Sequence, residues 1–121
     1  REYLILEAEF LLQKADSDDI RRNMDELKEK RLLKQPLEYP SAGSTFKRPE
    51  GYFAGKLIMD AGLAGFCVGG AEVSKKHCGF VINKGGASAA DILSVIRHVQ
   101  KTVKERFGVE LKPEVKLLGE F

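Results

Sequence analysis

The stretch from Ser88 to Gly108 constrains the fold most. Ile92, Ile96, Val99, Val103 and Phe107 recur at helical spacing and make one continuous apolar stripe. Ser88 and Asp91 stand in a capping arrangement ahead of it, and Gly108 supplies a stop. A helix with such a stripe needs a second layer to cover it.

The rest of the chain supplies candidates for that layer. Gly79–Asn83 is a short apolar run with the character of a buried strand, and Lys84-Gly85-Gly86 is its turn. Residues 65–74 mix strand formers with the pair Gly69-Gly70, which predicts a strand or two extended pieces broken by a bulge or a close backbone approach. Tyr3–Leu12 alternates Leu4, Leu6, Ala8 and Phe10 with Ile5, Glu7 and Glu9, the period of a strand. Ser17 can cap a helix from about Asp18 to Leu33, with Ile20, Met24 and Leu27 on one face and interleaved acids and bases on the others. A short helix is expected within Tyr52–Ala61, where Phe53, Leu57, Ile58 and Ala61 recur before Gly62. Residues 109–119 read as extended segments around Pro113. The order predicts one α+β domain over residues 1–121, two layers deep, with helices packed on a small mixed or antiparallel sheet.

Between the first two helices lies Ser41–Pro49, flanked by Pro36 and Pro40 on one side and Pro49 on the other. It reads as a shaped loop rather than helix or regular strand. Gly43 allows a positive φ, Ser44 offers a hydroxyl, and Lys47 and Arg48 supply charge suited to an anionic substrate. A solvated surface turn is the plain alternative.

Composition excludes several classes. The net charge of +2 comes from 20 basic and 18 acidic residues scattered among one another, so no strong field argues for nucleic acid. No apolar run approaches the roughly 20 residues that span a bilayer, and no signal-peptide pattern is visible, so a cytoplasmic protein is expected. Cys67 and Cys78 lack CxxC spacing or companion ligands, and no HExxH is present. Reduced thiols and no metal site are expected. Gly55-Lys56 is not a phosphate loop, because the GxxxxGK[ST] pattern is missing. The Ser44–Lys47 SxxK match has no companion motif and no GxSxG elbow exists, which argues against a serine hydrolase. The chain opens on Arg1 directly before a strand-like segment, which suggests a piece of something longer.

Several segments in one order carry a resemblance: Tyr39–Pro49, with its Gly-Ser-Thr-Phe-Lys-Arg-Pro, then Ala54–Ile58 with Ala61–Leu63, then Gly69–His77, then Lys112–Val115. Together they resemble the C-terminal part of the UDP-N-acetylenolpyruvoylglucosamine reductase family, the MurB flavoenzymes of peptidoglycan synthesis. The resemblance implies reduction of an enolpyruvyl ether on a UDP-sugar, with NADPH reducing FAD and the flavin passing on hydride. It implies Ser44 as proton donor and Glu114 as the catalytic glutamate. Substrate binding is implied for Lys34, Lys47, Arg48 and His77: Arg48 falls where other members have Asn, His77 where some have Gln, and Lys34 aligns only with a gap. FAD would be held chiefly by a preceding region, of which residues 1–15 are expected to be the last strand. Without that region the chain is expected to bind FAD poorly and to lack reductase activity. The alternative is a non-catalytic domain of this fold that binds a nucleotide or a partner.

Overall fold

A computed structural model describes residues 4–119. They divide into two units, one ending at Arg31 and the other beginning at Leu32. In the first, helix α1 (Ser17–Lys34) begins, and none of its residues is buried. The cap lies one residue before the expected Ser17: the Asp16 carboxylate accepts the N–H groups of Asp18 at 2.9 Å and Asp19 at 3.2 Å. Ile20, Met24 and Leu27 stay exposed.

The strand expected over Tyr3–Leu12 is not formed; Tyr3 lies outside the described residues, and 4–16 are irregular. Alternation creates an apolar face but not hydrogen-bond partners, and no other strand is described in this unit.

The second unit is a two-layer α+β domain. Its strands are β1 (Ser41–Ser44), β2 (Cys67–Val68), β3 (Ala71–Val73) and β4 (Phe80–Asn83), in the order β1-β4-β3-β2. Every pairing is antiparallel. The segment expected to be a loop thus contains an edge strand. Pro40 and Pro49 stand outside its paired residues, and β4 provides its partners. Between the pairs Ser41–Ile82 and Ser44–Phe80 the register slips by one residue, a bulge with Gly43 at φ +83°.

Gly69-Gly70 is the turn of the β2–β3 hairpin. Gly69 takes φ +53°, and Gly70 meets the 85–87 turn so closely that a Cβ there would lie 2.1 Å from the Gly85 carbonyl oxygen. Helix α2 (Ala54–Asp60) buries Leu57 and Ile58, while Phe53 precedes it as an exposed residue instead of joining the core.

Helix α3 (Ala89–Phe107) lies over β2, β3 and β4 and against α2. Its capping box is complete: the Asp91 N–H donates to Ser88 Oγ at 3.1 Å, and the Ser88 N–H donates to the Asp91 carboxylate at 2.8 Å. Gly108 ends it at φ +68°. The buried face is wider than the sequence stripe, because Leu93 and Val95 join Ile96, Val99 and Val103, while Phe107 is exposed. These side chains close on Ile58, Ala71, Val73 and Leu111 in one core. Residues 109–119 form no regular strand, and only an antiparallel bridge joins Phe46 to Pro113.

Candidate functional site

Thr45 is the point where three distant segments meet. It is 3% exposed, and each of its polar groups has a partner. Its N–H donates to Gly79 O at 2.8 Å, its Oγ1 accepts the Val81 N–H at 3.0 Å, and its carbonyl accepts the Glu114 N–H at 2.9 Å. Burial requires such pairing, since an unpaired buried polar group costs about 1–3 kcal/mol. Segment 44–48 is thereby held against 79–81 on one side and 112–114 on the other. Thr45 lay inside the quoted motif, but local pattern gave it no role.

The second of these pairings explains Pro113. The Lys47 N–H donates to Lys112 O at 2.9 Å, and the Glu114 N–H donates to Thr45 O, on either side of Phe46 and Pro113. Those two residues form a non-hydrogen-bonded pair, in which proline's missing N–H is not needed. Phe46 and Leu111 are buried, whereas Lys47 and Lys112 face solvent.

Ser44 is exposed at the end of β1, opposite Phe80. Glu114 is also exposed and one backbone hydrogen bond from Thr45. Lys47, Arg48, Tyr52 and Lys112 line a cavity of about 340 Å³ together with Glu50 and Glu110. Arg48 lies over the Phe53 ring at 4.0 Å, a cation–π contact that restrains its guanidinium. Lys112 is a cation that sequence reasoning did not assign, although it stood in the quoted Lys112–Val115 segment.

His77 is half-buried beside Phe80, edge-on at 4.9 Å between ring centroids. Its Nδ1 accepts the Gly79 N–H at 3.1 Å. Backbone pairing through Thr45 and Phe80 thus brings together the segments that carry Ser44, Lys47, Arg48, His77 and Glu114. Lys34 does not join them by any described hydrogen bond or ion pair; it is exposed at the C-terminal end of α1.

A larger cavity of about 460 Å³ lies between the start of β1 and the first half of α3, walled by Ile92, Ile96, Val115 and Leu117 and with Lys116 as the cation in its lining. Among the described residues, no group of His, Cys, Asp and Glu side chains could hold a metal ion. No described helix is long and apolar enough to cross a membrane.

These features define a small antiparallel α+β domain in which one sheet edge, bearing Ser44, Lys47 and Arg48, is paired with a final extended segment bearing Lys112 and Glu114. Residues 35–118 match the family model described as UDP-N-acetylenolpyruvoylglucosamine reductase, C-terminal domain, and the chain belongs to that family. It is 66% identical over 119 residues to a protein of Agathobacter rectalis named UDP-N-acetylenolpyruvoylglucosamine reductase, covering 98% of this chain and 38% of that protein. A reductase of the same name from Exiguobacterium sibiricum is 61% identical over 120 residues, covering 99% and 40% respectively. The crystal structure of UDP-N-acetylenolpyruvylglucosamine reductase (MurB) from Thermus caldophilus superposes with a TM-score of 0.66 at 36% identity, over 84% of this chain and 36% of that one. The chain thus spans well under half the length of the relatives it matches.

Proposed function

We propose that this chain is the substrate-binding, proton-delivering domain of a cytoplasmic UDP-N-acetylmuramate dehydrogenase acting in peptidoglycan synthesis. The substrate is a UDP-N-acetylglucosamine enolpyruvyl ether. Reduction adds a hydride to the terminal enol carbon and a proton to its neighbour, giving the lactyl ether as NADPH is oxidised. The observation that carries this reading is the backbone pairing that lays the segment bearing Ser44, Lys47 and Arg48 against the one bearing Lys112 and Glu114.

FAD, reduced by NADPH, supplies the hydride in such a reductase. The described residues do not suit a flavin dinucleotide: the larger cavity is mainly apolar and has a single lining cation rather than a cradle for a diphosphate. FAD is therefore assigned to a preceding region of the same polypeptide. The alternating segment before α1 is assigned as a strand completed by that region.

Ser44 Oγ gives its proton to the carbon next to the ether oxygen, and Glu114 polarises the enol. A serine hydroxyl is a poor acid in water, so the developing alkoxide needs positive charge close by. Lys47, Arg48 and Lys112 supply it, and Arg48 can clamp a phosphate or carboxylate with two parallel bonds. His77 donates a hydrogen bond to the nucleotide portion.

The test joins this chain to a flavin-binding region, in one polypeptide or as two purified parts, and follows NADPH oxidation with the enolpyruvyl substrate. Ser44→Ala is expected to lower kcat by about 10²–10⁴-fold, the contribution of a positioned general acid, with substrate binding retained. Saturable UDP-sugar binding without turnover in the joined wild type would favour the non-catalytic nucleotide-binding domain instead.

A further inference from the structure

We infer that Gly55 and Gly79 form a slot that fixes the His77 imidazole as its Nε2–H tautomer, making His77 a preset hydrogen-bond donor to a phosphate oxygen of a nucleoside diphosphate. The identity of the acceptor rests on the function proposed above. The slot and the tautomer rest on geometry alone.

A neutral imidazole carries one N–H, and the nitrogen that accepts a hydrogen bond is the one without it. Nδ1 of His77 accepts the Gly79 N–H at 3.1 Å, so the proton resides on Nε2. No described residue accepts from Nε2, which leaves that N–H available for a ligand.

The ring's position is fixed from several sides. A Cβ at Gly79 would lie 2.9 Å from His77 Cε1 and 3.1 Å from Nδ1. A Cβ at Gly55 would lie 3.3 Å from Cε1 and 3.2 Å from the Gly79 nitrogen. Either methyl crowds the imidazole, and neither glycine has a positive φ, so the requirement at both positions is space. The edge of Phe80 closes another side. The backbone is pinned as well: the His77 N–H donates to Ser74 Oγ at 3.3 Å, and the His77 carbonyl accepts the Phe80 N–H at 3.0 Å. Preorganisation of this kind lowers the entropy lost when a ligand is bound.

The arrangement gives His77 a directional role. Its Nε2 donates and does not accept, so it recognises an oxygen lone pair and does not serve as a base there. Glutamine places an amide nitrogen at about the reach of Nε2, whereas asparagine stops at about the reach of Nδ1.

The experiment uses histidine labelled with ¹⁵N in the full chain. Only two histidines are present, so His98→Gln assigns both spectra. In alkaline buffer, where imidazoles are neutral, the Nε2–H pattern is expected for His77, and Gly79→Ala is expected to mix the tautomers. Gly55→Ala, placed in a helix where alanine is favourable, gives a second variant should Gly79→Ala fail to fold. Added UDP should shift the Nε2 resonance. In the joined enzyme His77→Asn should raise KM for the UDP-sugar about tenfold or more at nearly unchanged kcat, while His77→Gln stays near wild type.

An Nδ1–H pattern in the free chain, or a spectrum unmoved by both glycine variants, overturns the inference while leaving the proposed function intact. Equal KM values for the Asn and Gln variants, or bound UDP without a change at Nε2, overturn the donor role. If neither UDP nor the UDP-sugar binds, the proposed function falls, whereas the glycine slot is still decided by the spectra of the free chain.

Discussion

Gly70→Ala tests how tightly the hairpin is keyed to the turn before α3. A Cβ at Gly70 would sit 2.1 Å from Gly85 O and 2.6 Å from the Ala87 nitrogen, both main-chain atoms. Ordinary contact needs more than about 1 Å of additional separation, and a backbone cannot rotate away as a long side chain can. Overpacking of this kind costs about 1–3 kcal/mol. The displacement also strains the bond from the Lys84 N–H to Gly70 O, 2.9 Å in length, for about 1 kcal/mol more. The smaller unfolded-state entropy of alanine returns about 0.4–1 kcal/mol. The net expectation is a loss of about 1–3.5 kcal/mol, which at a urea slope of about 1–2 kcal/mol/M lowers the midpoint by about 0.5–3.5 M. Gly62→Ala is the control, because Gly62 has φ +74° but nothing within 4 Å of the added carbon, so it reports left-handed backbone strain alone, about 1 kcal/mol. Urea unfolding followed by circular dichroism measures both. If Gly70→Ala is no more destabilising than Gly62→Ala, main-chain crowding is not what holds this hairpin.

Other expectations follow from the same geometry. Ser88→Ala should destabilise α3 by about 1 kcal/mol in thermal or urea unfolding, the usual loss of an N-cap. The Ser88 backbone N–H, followed by its side chain, holds the Asp91 carboxyl below its ordinary value of 3.8. The resulting stability is therefore full above that unfolded value and is lost as pH falls through the lower folded one, so the wild type's advantage over Asp91→Asn should shrink in acid titrations of the midpoint. Burial pushes the Cys78 thiol up, while Cys67 is exposed. Mass-resolved alkylation should modify Cys67 in native buffer and Cys78 only as denaturant opens the core, and equal rates would contradict that burial.

The parts of the fold legible in the sequence are those whose signals are local. The limits of α3 could be read because its capping box spans four residues and Gly108 has a backbone preference that no neighbour need supply. Gly69-Gly70 was legible as a break in the strand pattern, by a bulge or a close backbone approach, and the structure makes it a hairpin turn with the close approach at Gly70. Ser41–Ser44 was not legible as a strand, since the flanking prolines are local and the β4 partner lies almost 40 residues on in the chain. Tyr3–Leu12 failed in the opposite sense: its alternation is present, but pairing is a property of a neighbour and not of the segment. The approach of 45–47 to 112–114 was not readable locally, for this pairing leaves no periodic mark and Pro113 argues against it.

The position of Pro113 also bears on why the candidate site lies where it does. Proline is compatible with a single non-hydrogen-bonded pair but removes the donor that a longer ladder would require. The last segment is thus joined to the sheet edge by one bridge, with the Lys47 and Glu114 N–H groups bonded on either side and Glu114 left exposed beyond it. Phe46 and Leu111 bury their side chains at 4% and 1% exposure, so apolar packing holds the two strands of the bridge. Lys47, Arg48, Lys112 and Glu114 stay exposed outside that packing, which suits the substrate-facing roles proposed for them. Because Thr45 bonds residues 79, 81 and 114 from a buried position, the relative placement of the segments bearing Ser44, His77 and Glu114 follows from the core itself, the kind of rigid support that the proposed site would require.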